Sequence, residues 1–200
     1  MNIIRKIVKA IVFSFAWVYV RVTMRVKVYG RENIPKNEPY ILFCNHKSMF
    51  DPIVLEVFWD RYIHFFAKQG LSSSKFKKFF MDSFDSYPVS HSGKDIGAIR
   101  WAMKHLKNGN IVGIFPEGTR NRTDAQLLEF QDGLAALAHM SKVKLLPVAI
   151  VTDYKFLGRV KINIGEVQFP ENYYSQKLTK ELKEEMSKDF SDKVVNLLNK

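Results

Sequence analysis

The sequence predicts a single α/β domain in which helices cover a mixed, mostly parallel sheet. Short, nearly continuous apolar runs alternate along the chain with segments whose apolar residues recur at helical spacing. No linker rich in Gly, Ser or Pro and no internal repeat divides the 200 residues, which are enough to bury one core. We therefore expect one domain of alternating strands and helices.

The predicted strands are the short apolar runs. Residues 40–44 (YILFC) are the clearest case, because an almost unbroken apolar run of this length is typical of a buried strand. Pro147 lies inside another run and favours an edge strand or a bulge there, since proline cannot donate to a neighbouring strand. The predicted strands are residues 40–44, 62–67, 87–90, 111–115, 144–151 and 160–164.

The predicted helices have apolar residues three and four positions apart, or carry typical start and stop residues. Asp51 and Pro52 indicate a helix start, with Asp51 at the N-cap and Pro52 at the first helical position. Gly109 stands where the C-cap of a helix falls. The predicted helices are one beginning at Asp51, residues 72–81, 94–107 and 127–140, and a C-terminal helix from about residue 176.

Residues 1–30 are predicted to form an interfacial membrane-anchor helix region ahead of an α/β domain at residues 31–200. The uncharged run covers only residues 10–20, which is shorter than the ~20 apolar residues of a transmembrane helix. A signal-peptide core is a second interpretation, but no small-residue cleavage site follows. Flanking cations favour adsorption to anionic lipid, so we expect a peripheral or monotopic protein on the cytoplasmic face of a membrane. An ordinary N-terminal helix packed on the domain is the alternative, and one helix can be both.

The formal net charge of +11 indicates a polyanionic partner: a membrane surface, nucleic acid or a phosphorylated small molecule. Many small proteins are simply basic, so charge alone does not decide between these. Cys44 is the single cysteine, which excludes an intrachain disulfide and fits a reducing compartment. The five histidines lack ligand-like spacing, so we expect no metal site.

Two polar clusters follow predicted buried strands, where ligands usually bind in an α/β sheet. In the first, residues 45–51 (NHKSMFD), Asp51 can accept from one imidazole nitrogen of His46 and leave the other free to take a proton from a hydroxyl. No GxSxG elbow is present, so such a base would activate water or a substrate hydroxyl. Helix capping by Asp51 and a structural role for His46 are the alternative.

The second cluster, residues 115–120 (FPEGTR), combines a tight turn with groups that bind anions. Arg120 can hold a phosphate with two parallel hydrogen bonds, and Gly118 lets the backbone approach a ligand closely. Thr119 adds a hydroxyl, and Glu117 can either bond a glycerol hydroxyl or brace Arg120. A solvated surface turn is the alternative interpretation.

In these residues the sequence resembles the lysophosphatidic acid acyltransferase family, part of the glycerolipid acyltransferase superfamily. Residues 45–51 match its NHxSxxD block, which is often abbreviated HxxxxD, and residues 115–120 match its FPEGTR block. Residues 146–150 (LPVAI) resemble its VPVAI block. The resemblance covers residues 40–151, and it is specific because both main blocks occur in order at about the usual distance.

The resemblance implies an acyltransferase that moves a fatty acyl group from acyl-CoA or acyl-carrier protein to the sn-2 hydroxyl of lysophosphatidic acid, giving phosphatidic acid. His46 would be the catalytic base and Asp51 the catalytic residue that orients it. The substrate-binding residues would be Glu117, Gly118, Thr119 and Arg120. No cofactor is expected, because the thioester carries the activation. The expected partners are the membrane surface, the lysophospholipid acceptor and the acyl donor.

Two departures from the family blocks concern the acceptor phosphate. The family usually has an acidic residue and an Arg where this chain has Ser90 and His91, and its Phe-Lys-x-Gly reads FQDG at residues 130–133. His91, Lys94 or Arg122 are the candidates to supply the missing cation. Another lysophospholipid or glycerol phosphate therefore stays open as the acceptor.

A non-enzymatic basic protein that binds lipid or nucleic acid is the competing hypothesis. The cations of the predicted helix at residues 72–81 form a patch that suits an acidic carrier protein, anionic lipid or plain solvation. They are Lys75, Lys77 and Lys78, which together with Lys68 form an acid-free patch. No nucleic-acid-binding motif is present, so we expect no nucleic-acid partner.

Overall fold

The predicted alternation of strands and helices is confirmed in the computed structural model, which describes residues 3–68, 86–89, 95–152, 154 and 157–200. The strands are β1 (Arg25–Tyr29), β2 (Tyr40–Cys44), β3 (Ile63–Lys68), β4 (Tyr87–Val89), β5 (Ile111–Ile114), β6 (Lys144–Thr152) and β7 (Arg159–Ile164). The helices are α1 (Ile3–Thr23), α2 (Asp51–Phe58), α3 (Ile96–Lys107), α4 (Gly133–Ser141), α5 (Glu171–Tyr174) and α6 (Lys180–Leu198). The helix predicted at residues 72–81 and its lysines lie outside the described residues.

The described strands form one sheet in the order β1-β7-β6-β2-β5-β3-β4. The strands from β6 to β4 pair in parallel, whereas β7 is antiparallel to β6 and parallel to β1. The expected mixed, mostly parallel sheet is therefore confirmed. Because β2 and β5 are parallel neighbours, the segments that leave their carboxyl ends emerge side by side.

Each face of the sheet carries its own apolar core, which explains the unbroken apolar run of β2. Ile41 and Phe43 pack with α3, α4 and α6, and Tyr40 and Leu42 pack with α2 on the opposite face. Every residue of β2 is buried. Burial on both faces fixes the end of this strand, from which the first polar cluster departs.

The helix predicted at residues 127–140 begins only at Gly133. The apolar spacing of the preceding residues suggested an earlier start, but Leu128 donates its backbone N–H to the Glu117 side chain at 2.9 Å. The chain ahead of α4 is thus hydrogen-bonded to the turn after β5 and is not part of the helix. The C-terminal helix also starts later than expected, at Lys180, where the side chain of Thr179 caps it.

The edge-strand prediction for Pro147 is wrong, and the extra residue of a bulge lies on the facing chain rather than in the strand that contains Pro147. β6 lies inside the sheet between β2 and β7. Val148 pairs with Ile164, and Leu145 pairs with Gln168. Between these two pairs β6 has two residues, whereas the facing chain has three. This bulge lies opposite Pro147 and accommodates a residue that has no N–H to donate.

The N-terminal region contains a helix and a strand. Residues 25–29, assigned above to the anchor region, form the edge strand β1 along β7. Helix α1 reaches a core through Val20 and exposes apolar side chains on another face. The exposed apolar side chains that recur every three or four positions along α1 form a row: Ile7, Ile11, Phe15, Val18 and Val22. None of the helices described is long and apolar enough to cross a membrane.

Candidate active site

The two polar clusters lie beside each other at the carboxyl edge of the sheet. Phe43 near the end of β2 faces Ile114 at the end of β5, so both clusters start from the same edge. Asn121 donates its backbone N–H to the carbonyl of His46 at 2.6 Å. This bond joins the loop after β5 directly to the loop after β2.

His46 and Asp51 form the predicted pair. Nδ1 of His46 lies 2.8 Å from Oδ2 of Asp51. Asp51 is fully buried, whereas the His46 side chain is 18% exposed. No described residue hydrogen-bonds the other ring nitrogen, Nε2. The imidazole is therefore oriented from one side and available for proton transfer on the other.

The helix-capping explanation of Asp51 does not hold. The N-cap position of α2 is Phe50, and Asp51 is already the first residue of the helix. Its Oδ2 atom accepts from the backbone N–H groups of Lys47 and Ser48 at 2.7 and 2.8 Å. The carboxylate thus faces back into the turn that carries His46 instead of capping its own helix.

The ring of His46 is also fixed by stacking. Phe115, the first residue of the second cluster, stacks on it with ring centroids 4.2 Å apart and an interplanar angle of 19°. Phe115 in turn stacks on Phe65 of β3, at 5.4 Å. The second cluster therefore positions the imidazole plane as well as offering polar groups.

Glu117 has a role different from the two predicted ones. It is 4% exposed, and its Oε1 and Oε2 atoms accept from the backbone N–H groups of His46 and Leu128 at 2.5 and 2.9 Å. Each oxygen accepts from a backbone N–H group of the protein, which favours a bridging role over contact with an acceptor or with Arg120. Burial raises the pKa of the Glu117 carboxyl, because desolvation outweighs the hydrogen bonds. We infer that Glu117 holds the loop after β2 and the loop after β5 together through these two hydrogen bonds.

Gly118, Thr119 and Arg120 lie exposed on the loop after β5. Gly118 has φ +66°, a left-handed conformation that favours glycine at this turn. Since Arg120 precedes the residue bonded to the His46 carbonyl, its side chain starts next to the histidine loop. Among the described residues none pairs with the Arg120 guanidinium, which leaves it available to an anion.

Of the three other proposed phosphate contacts, the structure describes only Arg122. Arg122 lies exposed on the same loop, two residues beyond Arg120. His91 and Lys94 lie outside the described residues.

Two contributors to the site were missed in the sequence. The hydroxyl of Tyr154 donates to Oδ1 of Asp51 at 2.5 Å from a position 103 residues further along the chain. The buried side chain of Asn45 bonds both backbone groups of Ile150, at 3.0 and 2.8 Å. No motif marks Tyr154. Asn45 belongs to the first block, which could have drawn attention to it.

Within the part of the chain that the structure describes, the arrangement supplies a general base but no activated cysteine nucleophile. Cys44 is fully buried beside the site, and burial raises the pKa of its thiol well above the usual value. A thiol in that state does not attack a thioester at neutral pH. The described groups therefore suit a reaction in which His46 activates a hydroxyl that the substrate or water provides.

Comparison with known proteins agrees with this geometry. The model of the family described as Acyltransferase matches residues 25–151. The 1-acyl-sn-glycerol-3-phosphate acyltransferase of Bacillus subtilis is 36% identical over 70% of this chain and 72% of its own length. The enzyme of that name from Saccharomyces cerevisiae is 32% identical over 62% of this chain, which spans only 42% of the yeast protein.

A solved structure resembles the whole fold. It is the crystal structure of the 1-acyl-sn-glycerophosphate (LPA) acyltransferase PlsC from Thermotoga maritima, which is 26% identical. The match has a TM-score of 0.72 and covers 98% of this chain and 80% of the Thermotoga chain. Given this likeness and a family match that spans both polar clusters, the chain belongs to the acyltransferase family and is an enzyme of that family.

Proposed function

We propose that this enzyme transfers a fatty acyl group to the sn-2 hydroxyl of lysophosphatidic acid and forms phosphatidic acid for phospholipid biosynthesis. The observation that carries the proposal is the hydrogen bond between His46 and the buried Asp51, on the loop bonded to the one that carries the exposed Arg120. The names of the Bacillus, yeast and Thermotoga relatives support the acceptor. The donor is acyl-CoA or acyl-carrier protein, and no cofactor is required.

In the proposed reaction, Nε2 of His46 removes the proton of the acceptor hydroxyl as its oxygen attacks the thioester carbonyl carbon. A carbon–oxygen bond forms, the carbon–sulfur bond breaks, and the thiolate leaves with the proton from the imidazolium. Asp51 stabilises the imidazolium through Nδ1. Purified protein, lysophosphatidic acid and each donor in turn test the proposal, with phosphatidic acid as the measured product. Absence of product with both donors contradicts it.

A different phosphate-bearing acceptor is the second candidate, because His91 and Gln131 stand where the family usually has cations. Glycerol phosphate and other lysophospholipids in the same assay distinguish it. A higher kcat/KM for one of them than for lysophosphatidic acid selects the alternative.

Arg120→Gln should raise the KM for lysophosphatidic acid about tenfold, since a charge-assisted bond to phosphate contributes about 1.5–3 kcal/mol and this site is exposed. The KM for a monoacylglycerol, which lacks the phosphate, should change little. Arg100→Gln removes an exposed charge from α3 and is the matched control. An equal rise for both acceptors would argue against a phosphate contact.

We also propose that α1 docks on anionic lipid, with the enzyme peripheral or monotopic on the cytoplasmic face. Phe15 is 75% exposed, within the apolar row described for α1. Phe15→Glu should lower partitioning onto phosphatidylglycerol-containing vesicles about tenfold or more, because burying such a side chain contributes about 1.5–3 kcal/mol. Vesicle co-sedimentation measures this. Met140→Glu, at another exposed apolar position, is the control, and equal losses in both variants contradict docking through α1.

A further inference from the structure

Asp51 carries an unequal set of hydrogen bonds on its two oxygens. Three donors surround Oδ2: Nδ1 of His46 and the backbone N–H groups of Lys47 and Ser48. Among the described residues, Oδ1 has one donor, the hydroxyl of Tyr154, at 2.5 Å. Because the carboxylate is fully buried, an oxygen left without a donor is strongly disfavoured.

The backbone of Tyr154 has an unfavourable conformation, and contacts with neighbouring residues hold its side chain in place. Its φ of +49° lies in the left-handed region, which is strained for an aromatic residue. Its backbone N–H donates to Oγ1 of Thr152 at 2.9 Å. Its ring contacts Phe50 at a centroid distance of 6.0 Å, and Phe50 stacks on Tyr19 of α1 at 5.8 Å. Strain of this kind persists where surrounding contacts and function require it.

The Tyr154 hydroxyl is a permanent donor. Burial and the neighbouring Asp51 charge raise the pKa of Tyr154 well above its usual value. The phenol is therefore protonated at neutral pH and donates a hydrogen bond to the carboxylate.

We infer that Tyr154 is a positioning residue for acyl transfer: its bond to Oδ1 fixes the rotation of the Asp51 carboxylate and thereby keeps Oδ2 on His46. The inference rests on the proposed function. Tyr154 contacts neither substrate in this role and acts through Asp51 alone. Its removal should therefore slow the chemical step and leave substrate binding almost unchanged.

Tyr154→Phe tests the inference because it deletes the hydroxyl and keeps the ring against Phe50. With both substrates saturating, the single-turnover rate should fall about tenfold, as expected for a lost hydrogen bond to a buried charge. The KM values for lysophosphatidic acid and acyl-CoA should stay within about twofold of wild type.

Tyr174→Phe is the matched control, since it removes a buried hydroxyl that donates to the Val143 carbonyl at 2.7 Å, away from the site. It should keep the wild-type rate and KM values even if both variants lose thermal stability. A wild-type rate in Tyr154→Phe, or equal rate losses in the two variants, would overturn the positioning role. The comparison uses whichever acceptor the wild type acylates, so failure of lysophosphatidic acid as substrate is a separate outcome that contradicts only the proposed function.

Discussion

The His46→Ala variant should acylate its acceptor about 10³-fold more slowly than the wild-type enzyme while keeping the fold. The imidazole is the described group that is both oriented by a buried carboxylate and free at its second nitrogen. Removing it leaves the acceptor hydroxyl without a base. The rate constant for product formation at saturating substrate measures the loss, and thermal unfolding monitors the fold.

His139→Ala is the control for this experiment. His139 lies on α4, where its ring contacts the carbonyl of Gln176 at 2.8 Å, far along the chain from either polar cluster. Truncation there should leave the rate unchanged. A folded His46→Ala enzyme with the wild-type rate would remove His46 from the chemistry and require another base for acyl transfer.

The parts of the site that could be predicted are those set by local spacing and strand position. An unbroken apolar run at residues 40–44 indicated a strand buried on both faces, and it is one. The spacing of five residues between His46 and Asp51 allowed the two side chains to meet across one turn, and they do. Parallel pairing of β2 with β5 then brought the second cluster alongside.

The remaining parts depend on contacts that no local spacing reveals. Tyr154 reaches Asp51 because it follows β6, which pairs in parallel with β2, and a tyrosine after a strand has no distinctive signature. Glu117 belongs to a cluster that looks like a solvated turn, yet tertiary structure turns its carboxylate inward. The N-cap prediction for Asp51 failed for a local reason, since its Oδ2 atom accepts from the turn that carries His46 and not from its own helix.

Glu117→Ala should reduce the acylation rate about 100-fold, because a displacement of about 1 Å in a catalytic group has an effect of that size. The carboxylate joins the backbone of His46 to that of Leu128, and without it both N–H groups lose their acceptor. We expect the free energy of unfolding to fall by about 1–3 kcal/mol, the usual cost of leaving a buried donor unsatisfied. Denaturant titration measures the stability, and single-turnover kinetics measures the rate.

Two further variants identify what Glu117 does. Glu129→Ala removes an exposed carboxylate from the same loop and should change neither quantity. Glu117→Gln keeps one oxygen acceptor but places an amide N–H₂ against a backbone N–H, so its rate and stability should lie between those of Glu117→Ala and the wild type. If Glu117→Ala instead raised the KM for the acceptor and left stability and the single-turnover rate intact, direct contact with a glycerol hydroxyl would be the correct role. The inward-facing bonds to His46 and Leu128 predict the opposite, because a carboxylate with both oxygens bonded to the backbone has its effect on the histidine rather than on the substrate.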